Sequence, residues 1–153
     1  GLELAGTYTF TSLPGLWSGL GINANYSYTQ SETEVGGGVF YDNNLPLPGL
    51  SENVVSATLF WDSDHMSAHV NVRWRDEFVQ NLPIPGAGSP TLAQPYTTVD
   101  AQFSYSWENG FMIVVSGDNL TDEENLIEYG YNGSLGEYKQ FGRQYYVGFN
   151  WVY

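Results

Sequence analysis

Between residues 2 and 11 the apolar side chains Leu2, Leu4, Tyr8 and Phe10 fall on even positions, and Glu3, Thr7, Thr9 and Thr11 fall on odd ones. Successive side chains of a strand point to opposite faces, so this alternation predicts a strand with one apolar and one polar face. The pattern recurs along the chain. Leu20, Ile22, Ala24, Tyr26 and Tyr28 alternate with Gly21, Asn23, Asn25, Ser27 and Thr29, and Val55, Ala57, Leu59 and Trp61 face away from Ser56 and Thr58. The clearest separation sets Met66, Ala68, Val70, Val72 and Trp74 against Ser67, His69, Asn71, Arg73 and Arg75. Val99, Ala101, Phe103, Tyr105 and Trp107 then oppose Asp100, Gln102, Ser104 and Ser106. "FMIVVSGDN" at 111 to 119 is apolar on both faces, so its pattern names no inner side. The closing stretch "RQYYVGFNWVY" alternates again, with Tyr145, Val147, Phe149, Trp151 and Tyr153 on one parity.

The connections between these seven predicted strands are of two kinds. Tight turns are expected at "LPG" (13 to 15), "DSD" (62 to 64) and "ENG" (108 to 110), the last as a hairpin turn. The other three connections are polar, Gly-rich and Pro-rich segments of roughly 17 to 22 residues, against about 4 to 6 in compact soluble domains. Long and short connections alternate strictly along the chain. Antiparallel strands of an outer-membrane barrel have this arrangement, with short periplasmic turns, long external loops, and side chains that alternate apolar-out and polar-in. The expected fold class is therefore all-β, an antiparallel transmembrane β-barrel. Tyr8, Phe10, Trp61, Trp107, Trp151 and Tyr153 would lie at one membrane interface as an aromatic girdle. The alternative is a soluble sandwich whose apolar face packs on a second sheet. The polar faces argue against it, because they carry Ser, Thr, Asn and Gln rather than the Lys and Glu of a soluble surface.

Charge and composition sharpen the picture. Seventeen acidic residues against four basic ones leave a net charge of -13, which disfavours nucleic acid as a partner. The absence of cysteine excludes thiolate metal sites and disulfides. With 12 Tyr, 8 Phe and 5 Trp the chain is too aromatic for a solvated acidic tail.

Candidate chemistry is sparse. His65 and His69 are four apart, but on a strand this separates them by about 13 Å, too far for two ligands that must each reach within about 2.1 Å of one zinc. Asp122, Glu123 and Glu124 read as a solvated loop rather than a carboxylate pair. No catalytic residue, metal site or cofactor is expected. Arg73 and Arg75 share a polar face with His69 and Asp100, where they can pair with Asp100 or Glu77, stiffen the wall, or meet an anionic solute or an internal plug. Arg143 reads as a wall or rim contact. Phe40, Tyr41, Tyr129, Tyr131 and Tyr138 lie in the long segments, where they can stack on a captured ligand or on one another.

Several stretches carry a family resemblance. "DNLTDEEN" at 118 to 125, followed by "GRQYYVGFNWVY" at 142 to 153, resembles the end of TonB-dependent receptors, in which an Asn-Leu-Thr/Phe-Asp stretch ends the penultimate strand and Gly-Arg-x-Tyr opens the last. "LPGLSENVVSATLFWDSDHMSAHVNVRWRDEFV" at 47 to 79 and "YTTVDAQFSYSW" at 96 to 107 are similar to the strands preceding that end. Tyr146, Gly148, Phe149, Trp151 and Tyr153 resemble the C-terminal signal read by the barrel-assembly machinery. The resemblance implies a plugged barrel of roughly 22 strands, of which residues 1–153 would be a C-terminal segment of about seven, with plug and energy-coupling segment outside this chain. It implies a non-enzymatic, multi-pass protein of the Gram-negative outer membrane. Its partners would be membrane lipid, the remaining strands and plug, a TonB-type energy-coupling protein, the assembly machinery, and a scarce large solute such as a siderophore or an oligosaccharide. A passive pore or structural barrel, and a soluble carbohydrate-binding sandwich, are the competing readings.

Overall fold

The computed structural model describes residues 1–36, 44–83, 88–131 and 133–152. Seven strands form one antiparallel sheet in the order β1 (Leu2–Thr9), β2 (Leu20–Tyr28), β5 (Asn53–Asp62), β6 (Met66–Arg75), β9 (Tyr96–Ser106), β10 (Phe111–Asp118) and β13 (Gln144–Trp151). Each of the seven predicted strands forms one strand of this sheet, and each pairs with its neighbours in the chain-ordered series. The sheet is open within the described residues, with β1 and β13 at its two ends.

Register carries the alternation across the whole sheet. Tyr8, Ile22, Leu59, Val70, Ala101, Gly117 and Tyr145 are successive cross-strand partners on the apolar face. One residue along, Thr7, Asn23, Thr58, Asn71 and Asp100 form a polar row across five strands. Side-chain hydrogen bonds tie the row together, from Asn23 Nδ2 to Thr7 Oγ1 and from Asn71 Nδ2 to Thr58 Oγ1, both at 2.7 Å. Register also resolves β10, whose pattern is silent. Ile113 and Val115 pair with Tyr105 and Phe103, and so lie on the apolar face. Met112, Val114 and Ser116 lie with Ser106, Ser104 and Gln102 on the other.

The apolar face is not the core of a sandwich. Val70 is 41% exposed, Phe103 40% and Trp151 66%, so among the described residues no second layer packs on them. Buried apolar residues, Leu45, Val79, Leu92, Ala93 and Ile127, lie instead at the end of the long connections. There β7 (Phe78–Asn81), β8 (Thr91–Ala93), β11 (Glu124–Tyr129) and β12 (Ser134–Gln140) make a second sheet in the order β12-β11-β8-β7, and β3 (Thr33–Glu34) pairs with β4 (Asn44–Leu45). Sequence alternation reads these segments as long loops, whereas the structure gives them strands. Each run is short, the segments are rich in Pro and Gly, and the sheet is completed by a pairing between distant segments, in which Ala93 of β8 faces Ile127 of β11. Burying a Val, Leu or Ile side chain is worth about 1.5–3 kcal/mol, so the small sheet has a core of its own.

The opposite end is built from turns. In the 107–111 hairpin Gly110 adopts φ 79 and its N–H donates to the Trp107 carbonyl, a backbone conformation that suits glycine. Ser63 closes the 62–66 turn by donating its N–H to the Met66 carbonyl. The first connection is longer than the "LPG" turn expected of it, since β1 ends at Thr9 and a 3-10 helix (Gly15–Gly19) precedes β2.

Candidate functional site

The polar face and its rim at the long-connection end hold most of the residues singled out by sequence. Arg73 on β6 and Asp100 on β9 are diagonal neighbours on one face, each two residues from the other's partner, within reach for long side chains. Arg73 Nη2 donates to Asp100 Oδ2 at 2.8 Å, with the arginine side chain 62% exposed and the aspartate 23%. Of the two carboxylates considered for Arg73, Asp100 is therefore its partner.

Asp100 is also the root of a clasp. Its Oδ1 accepts the backbone N–H of Asn119 at 2.9 Å. Asn119 has φ 52, the left-handed conformation that asparagine tolerates better than most residues. Its side-chain amide donates to the Glu123 and Gly142 carbonyls, both at 3.2 Å, while its Oδ1 accepts the Glu123 N–H at 2.8 Å. The Glu123 carboxylate in turn accepts the Thr97 N–H at 3.1 Å. Leu120 donates its N–H to the Val99 carbonyl at 2.8 Å, and Arg143 Nε donates to the Leu120 carbonyl at 2.9 Å. "DNLTDEEN" is thus the knot joining the rim ends of β9, β10 and β13, and Glu123 is a structural ligand of backbone rather than a free loop charge.

Arg75 makes contacts of another kind. Its Nη1 donates to the Gln94 carbonyl at 3.2 Å and the Asp76 carbonyl at 3.4 Å. Its guanidinium lies 4.6 Å from the Phe78 ring centroid and 5.4 Å from that of Tyr96, where cation–π attraction adds to packing. His69 stands between Phe60 and Gln102 in register. Phe60 is an aromatic on the polar face, and its ring occupies the space above Gly21, where a Cβ would lie 2.2 Å from Phe60 Cζ.

Of the loop aromatics, Tyr131 reaches a cleft of about 230 Å³ between the rim and the small sheet, with Gln30, Glu52, Asp76, Glu77 and Phe78 among its other walls. Tyr129 and Tyr138 sit instead on β11 and β12, with Tyr138 Oη donating to Glu124 Oε1 at 2.6 Å. Phe40 and Tyr41 lie outside the described residues. Sequence reasoning misses Phe78, Gln30 and Glu52, because only pairing between distant segments brings them to one cleft.

At the closing strand, Tyr146 and Gly148 pair with Ser116 and Val114 on the polar side, and Phe149 and Trp151 pair with Ile113 and Phe111 on the apolar side. Tyr146 Oη bonds the Gln144 side chain, and Trp151 Nε1 donates to the Asn109 carbonyl at 3.3 Å. Tyr153 lies outside the described residues.

Comparison with known proteins agrees with this architecture. No curated protein and no solved structure matches the chain. Residues 1–120 match the family model described as "TonB dependent receptor-like, beta-barrel", a stretch that includes six of the seven strands of the large sheet. With most of its length matched, the chain belongs to the TonB-dependent receptor-like β-barrel family.

Proposed function

We propose that this chain is part of the wall of an outer-membrane receptor that captures a scarce, large solute at its long-connection end and admits it by energy-coupled movement of an internal plug. The family is one of transporters rather than enzymes and implies the Gram-negative outer membrane. The observation that carries the reading is the segregation of faces that register carries from strand to strand across the seven-stranded sheet, with the apolar side exposed and residues of the polar side linked by hydrogen bonds. Hydrocarbon outside and water inside are the two solvents such a wall requires.

In this reading the long connections are extracellular, as in other barrels of this kind, and the cleft bearing Tyr131 and Phe78 faces arriving solute. Arg73 and Asp100 belong to the wall that the plug or the passing solute touches. Tyr146, Gly148, Phe149 and Trp151 are read by the assembly machinery. The polar cleft, with aromatic, amide and carboxylate groups together, favours an oligosaccharide over the other solute classes.

The experiment is uptake by cells expressing the complete receptor, offered labelled oligosaccharides and ferric siderophores, with and without the energy-coupling protein. Uptake that vanishes without the coupling protein is the expected result. Equal uptake in both strains would identify a passive pore instead.

A further inference from the structure

The connection between β1 and β2 differs in chemistry from the other two turns at its end of the sheet. No charged residue or histidine occurs between Leu4 and Ser31, whereas the second turn carries Asp62, Asp64 and His65 and the third carries Glu108. Its 3-10 helix presents Leu16 and Trp17 to the surroundings, 67% and 65% exposed, beside an exposed Leu13. A turn bathed only by water gains nothing from three large apolar side chains, and a contiguous apolar patch marks a contact surface.

The attachment of the helix identifies that contact. Trp61 belongs to the apolar face, between Leu20 and Ala68 in register. Its indole Nε1 donates to the Leu16 carbonyl at 2.6 Å. Behind it the backbone at Gly19 approaches Asp62 so closely that a Cβ would lie 1.7 Å from the Asp62 carbonyl oxygen. The helix is therefore stapled to the edge of the apolar face and extends the surface formed there by Tyr8, Phe10 and Trp61.

Resting on the barrel reading above, we infer that Leu16 and Trp17 form a foot that enters the headgroup and acyl boundary of the periplasmic leaflet. Tryptophan suits that boundary, with an apolar ring and one polar N–H. The segment has no cation to attract an anionic lipid, so the partner is zwitterionic phospholipid held by apolar burial, as for other interfacial segments.

The test uses the complete receptor, with any cysteines elsewhere in it replaced, in vesicles of phosphatidylethanolamine and phosphatidylglycerol. This chain contributes no cysteine, so nitroxide labels can be placed singly at Trp17→Cys, Asp64→Cys and Val70→Cys. Accessibility to oxygen, which partitions into lipid, is compared with accessibility to a water-soluble nickel complex. The foot requires oxygen to dominate at 17 as at 70, and nickel to dominate at 64. Nickel dominance at 17, or protection from both reagents through cover by protein, overturns the inference while 70 remains oxygen-dominated. Nickel dominance at 70 defeats the barrel reading and the foot with it. A second readout needs no label: Trp17→Phe must reduce the quenching of tryptophan fluorescence by brominated lipid, and unchanged quenching counts against the foot.

Discussion

Asp100 binds Arg73 with one carboxylate oxygen and the backbone of Asn119 with the other, at 2.8 and 2.9 Å. The two bonds are unequal in what they contribute. Arg73 is mostly exposed, and exposed ion pairs are worth about 0–1 kcal/mol. The Asn119 N–H is part-buried, and a hydrogen bond to a charged acceptor is worth about 1.5–3 kcal/mol. Asp100→Ala is therefore expected to lower the unfolding midpoint of the complete receptor in detergent well below that of Arg73→Ala, with Asp100→Asn between them. An Arg73→Ala loss as large as that of Asp100→Ala would refute the ordering.

Asn119 and Asp122 both adopt positive φ, 52 and 58, but for different returns. Asn119 uses its side chain for three bonds, while Asp122 has a buried Oδ1 without a hydrogen-bond partner among the described residues. Left-handed backbone costs a non-glycine residue roughly 1–2 kcal/mol. Asn119→Gly removes this strain yet loses the clasp, so a net loss of about 1–2 kcal/mol is expected from bonds worth about 1 each. Asp122→Gly removes strain and an unsatisfied atom together, for a gain of up to about 1 kcal/mol after glycine's own entropy cost. Limited proteolysis reads both, with faster cutting between 124 and 140 for the first variant and slower for the second.

These residues show what a sequence can carry. Six of the seven strands of the large sheet are legible face by face because hydrocarbon and water impose a period of two on them. β10 is not, because Met112 and Val114 place apolar groups on the polar side, and only pairing with β9 reveals it. The strands β7, β8, β11 and β12 escape for a related reason. Val79, Leu92 and Ile127 are apolar positions in short runs, and their burial depends on partners far along the chain. Arg73 and Asp100 are legible as a pair by facing parity, but the clasp is not, since its bonds run mostly to backbone.

Gly21 and Phe60 form a close-approach pair on the polar face. A Cβ at Gly21 would sit 2.2 Å from Phe60 Cζ and 2.6 Å from Cε2, and overpacking of this sort costs about 1–3 kcal/mol. Gly21→Ala alone is expected to destabilise by that amount, and Gly21→Ala with Phe60→Ala to be no worse than Phe60→Ala alone. Strict additivity in a double-mutant cycle would mean that the ring does not oppose the new methyl group.

Tyr138 is a rim group whose protonation is displaced. Its phenol donates to the Glu124 carboxylate at 2.6 Å, and this bond raises its pKa above the ordinary 10.0. A pKa raised in the folded state means that the bond's stabilisation is complete below the ordinary tyrosine range and is lost as pH climbs through the displaced value. In Glu124→Gln, the Tyr138 ring carbon resonance, followed by selective labelling, is expected to titrate at lower pH than in the parent receptor. Coincident titration curves would remove the bond from the account.

Val70 and Asn71 are adjacent on β6 and give the most direct test of the two faces. Val70 points with Leu59 and Ala101 to the apolar side, and Asn71 with Thr58 and Asp100 to the polar side. An arginine introduced on the lipid side of a barrel costs about 2–4 kcal/mol near the bilayer midplane and much less near its interfaces. Val70→Arg is therefore expected to lower folding stability in lipid vesicles, and to do so more strongly in thicker bilayers, where snorkelling to the headgroups is harder. Asn71→Arg loses the bond to Thr58, worth about 1 kcal/mol, but places its charge in water opposite Asp100, so its effect is small and independent of bilayer thickness. A packed sandwich core would also reject Val70→Arg, yet its penalty could not follow the length of a lipid chain. That dependence, rather than the loss itself, identifies hydrocarbon as the solvent of this face.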